Sequence, residues 1–212
     1  MTKRLIAGPA GAIEIAVDAE SDARGIALIA HPHPLFGGTM DNKVVTTLAR
    51  SFRELGFTTL RPNFRGVGGS EGVHDHGMGE TEDLLAVVAW ARGEWGDGGM
   101  LPLVLAGFSF GAFVQTRVGK ALSEAGTPPQ RMVLVGTAAG QVTGARSYTT
   151  ENVPADSLII HGELDDTVPL KNVLDWARPQ ELPVVLVPGA DHFFHGKLHI
   201  IKQLVMQQQQ GG

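Results

Sequence analysis

Ser109 lies in Gly107-Phe108-Ser109-Phe110-Gly111, between an apolar run ending at Ala106 and a segment of helical character. A serine hydroxyl is a poor nucleophile at neutral pH. It needs an adjacent base, and the base needs a buried carboxylate to hold it in one tautomer. A G-x-S-x-G sequence between strand and helix makes a turn so tight that the serine is strained and its Oγ stands out at the top of a sheet. Side chains in place of the flanking glycines would collide with the strand and helix. A serine ahead of a helix is also an ordinary N-cap, so the rest of the chain must supply acid and base. After such a turn the expected chain order is serine, acid, histidine. Downstream, Leu158-Ile159-Ile160-His161-Gly162 runs into a carboxylate-rich turn holding Asp165 and Asp166, and Val184-Val185-Leu186-Val187 runs into a loop holding His192. Acyl transfer also requires donors for the developing oxyanion, and the backbone N–H of Phe110 is the first of them.

These residues need elements to position them. Residues 12–17 carry Ile13, Ile15 and Val17 with a period of two and predict a half-exposed strand. Residues 25–30 form a continuous apolar run, a strand buried on both faces. Val44, Val45, Leu48, Phe52 and Leu55 have the spacing of one helix face over 43–55, and Gly56 falls where a helix ends. Strands are predicted at 57–61, 101–106, 131–136, 156–161 and 183–187, and helices at 81–94, 112–125, 170–177 and 194–206. Residues 63–79 are a long glycine-rich loop, and 207–212 a low-complexity tail expected to fray. Strands alternating with helices predict an α/β fold, a mostly parallel sheet with helices on both faces, whose ligands bind beyond the carboxyl ends of the strands.

Composition narrows the choice of partner. The chain of 212 residues suits one domain spanning 1–212. Its net charge of −5 and the lack of a Lys/Arg cluster argue against nucleic acid or an anionic membrane as partner. There is no cysteine, so disulfides, thiolate metal sites and a cysteine nucleophile are excluded. No segment approaches the ~20 apolar residues of a membrane span, and residues 1–9 lack the apolar run of a signal peptide. The expectation is a cytoplasmic protein without cofactor, acting on a small molecule.

The motifs taken together resemble the α/β-hydrolases, in particular small cap-less bacterial hydrolases of the dienelactone-hydrolase-like kind. They are His31-Pro32-His33-Pro34, Asn63-Phe64-Arg65-Gly66-Val67-Gly68-Gly69-Ser70, the Ser109 pentapeptide, His161-Gly162-x-x-Asp165-x-x-Val168-Pro169, and Gly189-Ala190-Asp191-His192-Phe193-Phe194. This resemblance implies Ser109 as nucleophile, Asp165 as acid and His192 as base. Asp166 is the rival acid, or else the cap of the helix starting near Leu170. His195 and His199 are the rival histidines, expected on the last helix. The resemblance also implies a second oxyanion donor after the 25–30 strand, the N–H of His33, with Leu35 as fallback. Pro32 stands where the family has glycine, and Pro34 has no N–H.

Other clusters carry less. His31-x-His33, His74-Asp75-His76 and the His195/His199 pair all lack the partners of a metal site, and no metal is expected. The glycine-rich 66–72 loop has neither a Walker lysine nor G-x-G-x-x-G spacing, and Arg65 is expected to tie it down. Residues 137–155 are too short and polar for a cap. An open site ringed by Phe36, Phe108, Phe110, Phe193 and Phe194 is the expectation, suited to esters of short or medium acyl groups. The same three residues would equally serve a thioesterase, peptidase or acyltransferase, and the fold alone would also allow a non-catalytic binding protein.

Overall fold

The computed structural model describes residues 1–96 and 101–210. Among these residues ten strands and five α-helices follow one another, beginning β1 (Thr2–Gly8), β2 (Gly11–Asp18), β3 (Ile26–Ala30), α1 (Lys43–Glu54), β4 (Thr58–Pro62), α2 (Met78–Trp95), β5 (Leu103–Phe108) and α3 (Phe110–Glu124). Then come β6 (Arg131–Val135), β7 (Gly140–Val142), β8 (Arg146–Tyr148), β9 (Leu158–Gly162), α4 (Leu170–Ala177), β10 (Val184–Val187) and α5 (Leu198–Gln210). Eight strands form one sheet in the order β1-β2-β4-β3-β5-β6-β9-β10. From β4 to β10 the pairings are parallel, and β1 and β2 add an antiparallel edge. The expected α/β-hydrolase architecture, a mostly parallel sheet between helical layers, is present.

The central strands β3 and β5 are buried along their whole length, as unbroken runs of Ile, Leu, Val and Ala require when both faces are covered. One face packs under α1 and α5, where Val45, Leu48, Phe52, Ile201 and Val205 share a core with Phe108. The other packs under α2, α3 and α4 around Leu84, Val87, Val114, Val118 and Val173. Gly56 takes φ +83° just past α1, the left-handed turn that lets the chain reverse into β4.

Three expectations change. β1 was not anticipated: only Ile6 of its seven residues is buried, so no alternation marks it. Residues 137–155, for which no strand is predicted, hold β7 and β8 paired as a short hairpin, and nothing else in that segment is regular. α5 begins at Leu198 rather than 194 and continues to Gln210, beyond 206, since glutamine is a good helix former. Gly211 and Gly212 lie outside the described residues.

Candidate active site

His33, Ser109, Asp165 and His192 each fall in the segment past the carboxyl end of a sheet strand. Ser109 follows β5 and has φ 56° and ψ −118°, a conformation rare for any residue but glycine. Its neighbours leave little alternative. A Cβ on Gly107 would stand 2.6 Å from the Gly111 backbone, and one on Gly111 would stand 2.4 Å from the carbonyl oxygens of Ala30 and His31. β5, α3 and the end of β3 therefore converge as only glycine permits. Ser109 starts α3 but its side chain makes no capping bond, so the N-cap explanation fails. Its Oγ lies 3.0 Å from His192 Nε2.

His192 Nδ1 lies 2.7 Å from Asp165 Oδ2. A carboxylate only accepts, so Nδ1 carries the proton and Nε2 is left to accept from the Ser109 hydroxyl. Asp165 Oδ1 accepts the backbone N–H groups of Val168 (2.7 Å) and Thr167 (3.0 Å). Its carboxylate is fully buried and thus held in one orientation. The imidazole of His192 packs on Phe108 at 4.9 Å between ring centroids, and Gly136 gives it room.

The rivals are placed elsewhere. The side chain of Asp166 is exposed, accepting only from the neighbouring Thr167 Oγ1 at 3.4 Å, and its carbonyl accepts from Thr143 Oγ1 at 2.8 Å. It does not cap α4, whose N-cap is Pro169. His195 precedes α5 rather than lying on it, exposed and paired with Asp191 at 2.6 Å. His199 is exposed in the first turn of α5.

The loop after β3 is fixed by its histidines. His31 is fully buried, with Nε2 accepting from Phe64 N–H (2.9 Å) and Nδ1 2.6 Å from Pro32 O. Burial pushes its pKa down to about 4. His33 is likewise pushed down to about 4, first by burial and then by nearby His74, Arg146 and His76. Its Nδ1 accepts from Leu35 N–H at 3.3 Å, so the fallback oxyanion donor is already occupied. The N–H groups of Phe110 and His33 have no acceptor among the described residues. Arg65 ties down the glycine-rich loop, with Nε and Nη2 on Asp83 at 2.8 and 2.9 Å and Nη2 on Gly79 O at 2.7 Å.

A cavity of about 300 Å³ contains Ser109 and His192, bordered also by Pro32, His33, Phe36 and Phe193. The expected ring of five phenylalanines is not there. Phe36 and Phe193 are 67% and 47% exposed, but Phe108, Phe110 and Phe194 are buried core residues. What the sequence reading missed is Thr143, Gly144 and Arg146, which the β7–β8 hairpin brings to the same cavity. No signal in 137–155 marked them, because strands of three residues show no periodicity. Among the described residues no group of three or more His, Asp or Glu is placed to hold a metal ion, and no helix is long and apolar enough to cross a membrane.

A strained serine after the central strand of this sheet, facing a buried histidine, defines the α/β-hydrolase class. Residues 21–127 match the family of X-Pro dipeptidyl-peptidases (S15 family). A Xanthomonas campestris protein, XC6422, described as an α/β serine hydrolase without lid, is 38% identical. The alignment covers 99% of this chain and 94% of that one, with a TM-score of 0.85. An α/β serine hydrolase homologue from Coxiella burnetii is also 38% identical, over 97% and 96% of the two chains, with a TM-score of 0.81. An uncharacterized Rickettsia prowazekii protein, RP471, is 32% identical over 90% of this chain and 81% of its own length. The chain belongs to the α/β serine hydrolases, and to their lid-less bacterial members.

Proposed function

We propose that the protein is a carboxylesterase for small and medium acyl esters, working through an acyl-enzyme on Ser109. The observation that carries this reading is the unbroken line from Ser109 Oγ to His192 Nε2 (3.0 Å) and from His192 Nδ1 to Asp165 Oδ2 (2.7 Å). Ser109 Oγ attacks the ester carbonyl carbon while its proton passes to His192 Nε2, and Asp165 stabilises the imidazolium that forms. The oxyanion is taken by the free N–H groups of Phe110 and His33. Collapse breaks the C–O bond, and the departing alkoxide takes the proton from Nε2. Water then attacks the acyl carbonyl, giving its proton to His192, and the acid leaves as Ser109 recovers its hydrogen. A cavity of about 300 Å³ opening between exposed Phe36 and Phe193, with no cap over it among the described residues, suits acyl groups of modest size.

The S15 match favours a second reading, peptide hydrolysis by the same residues. An exopeptidase that measures from a free amino terminus needs a carboxylate to meet the ammonium. Among the described residues no Asp or Glu borders the Ser109 cavity, which supports the ester reading over that one. Hydrolysis of p-nitrophenyl acetate, butyrate and octanoate by wild type and Ser109→Ala, beside an X-Pro anilide, separates the two. Ester turnover that depends on Ser109 supports the proposal; turnover of the anilide alone contradicts it.

A further inference from the structure

A second cavity, of about 560 Å³, adjoins the one that holds Ser109. His33, Phe36, Gly144 and Arg146 border both, so Arg146 stands on the shared wall. Arg117, Phe110, His74 and Tyr148 border the second cavity but not the first. Among the described residues no Asp or Glu borders either cavity, although the chain carries a net charge of −5. Arg117 and Arg146 meet no carboxylate among the described residues, as is also true of Arg24, Arg50, Arg53 and Arg92, but of these six only Arg117 and Arg146 border a cavity beside Ser109. Arg146 is nonetheless held in place. Its guanidinium lies 4.2 Å over the Phe36 ring, and its Nε and Nη2 donate to Thr143 O at 3.2 and 2.8 Å. The Tyr148 hydroxyl lies close enough to interact with the guanidinium, and no carboxylate meets it among the described residues. Arg117 Nε is buried with no hydrogen-bond partner there. His33 is neutral at neutral pH, since its pKa lies near 4, so it adds no positive charge to the guanidinium groups of Arg146 and Arg117.

We infer that the second cavity is a recognition subsite for a carboxylate carried by the substrate ester, received by Arg146 with Arg117 behind it. This rests on the Ser109 chemistry proposed above. A guanidinium held by its Nε edge presents the remaining N–H groups as a fixed fork, the geometry that suits a carboxylate and forms short charge-assisted bonds. A positive cleft on an acidic protein also draws anionic substrate in, an effect that weakens with salt. Phe110, Phe113 and Tyr148 give the second cavity an apolar lining for the part of the substrate that lies beside that charge.

Two matched pairs test the inference: mono-p-nitrophenyl glutarate against p-nitrophenyl pentanoate, with the charge on the acyl side, and 3-acetoxybenzoate against phenyl acetate, with it on the alcohol side. In at least one pair wild type should favour the anion in kcat/KM by about tenfold. The preference should lie in KM, shrink at high salt, collapse in Arg146→Gln and partly survive in Arg146→Lys. Equal or better use of the neutral ester in both pairs, or an Arg146→Gln loss shared equally by anion and neutral partner, overturns it. Calorimetry of monomethyl glutarate and of 3-hydroxybenzoate with Ser109→Ala keeps the subsite separate from the chemistry. Should no ester be turned over through Ser109, the esterase reading falls. Binding of either anion that is lost in Ser109→Ala/Arg146→Gln still supports the pocket, and no binding overturns it.

Discussion

Phe108 and Phe110 flank Ser109 in the chain and lie on opposite faces of the sheet. Phe108 is buried in the core under α1 and α5, and Phe110 in the core under α2 and α3. With a large side chain anchored on either side, the backbone at 109 has no freedom to relax, and the serine stays at φ 56°. Backbone strain of this kind costs on the order of 1–3 kcal/mol and persists only where its surroundings enforce it. Glycine adopts the conformation without penalty, and alanine does not. Ser109→Gly should therefore be more stable than Ser109→Ala by about 1 kcal/mol in urea unfolding. The reverse order would show that the turn is unstrained.

Gly111 tests the same turn from the other side. A Cβ there meets the carbonyl oxygens of Ala30 and His31 at 2.4 Å, and both are backbone atoms that cannot swing away. Gly111→Ala should cost about 1–3 kcal/mol in stability and slow labelling of Ser109 by a fluorophosphonate, because the loop bearing His33 must shift. Wild-type stability together with a wild-type labelling rate would contradict the packing described.

Asp165 and Asp166 are adjacent and differ completely in surroundings, one buried against His192 and the other exposed. Asp165→Asn can donate to His192 Nδ1 and so favours the wrong tautomer. It should lower kcat on the order of 10⁴-fold with little loss of fold. Asp166→Asn should stay within about twofold of wild type, as expected of an exposed substitution. Measured kcat values for the pair decide the assignment, and an equal loss in both would refute it.

His31 makes stability depend on pH. Its Nε2 accepts from Phe64 N–H, and protonating it destroys that bond inside the core. The folded pKa is about 4, against about 6.5 in the unfolded chain. A depressed folded value means that the unfolded state binds the proton first. The contribution is complete above about pH 6.5 and is lost as pH falls towards 4, on the order of 3 kcal/mol in all. Urea unfolding between pH 7 and 4 should show a shallower decline in His31→Gln than in wild type. Parallel curves would exclude His31 as a source.

Much of this was legible because the buried parallel strands announce themselves. The 25–30 run, the Ser109 pentapeptide and the two later strands with their loops were read in place, since continuous apolar runs ending in turn residues mark such strands. Where burial is slight the signal vanishes: β1 buries one side chain, and β7 and β8 are three residues each. The phenylalanine ring failed for a different reason. Being next to Ser109 in sequence says nothing about direction, because successive residues around a strand end point to opposite faces. Arg146 was illegible for the third reason, a long-range one. Only the folded hairpin, bonded to Asp166 O through Thr143, carries it to Phe36.

The central claim is that Ser109 becomes acylated. Mass spectrometry of protein quenched during turnover of p-nitrophenyl butyrate, followed by peptide mapping, tests it most directly. The account predicts a butyryl adduct on the peptide containing Ser109, accumulating further in His192→Gln if deacylation is slowed more than acylation, and absent in Ser109→Ala. Undiminished turnover by Ser109→Ala, or an adduct at another residue in the wild type, would contradict it.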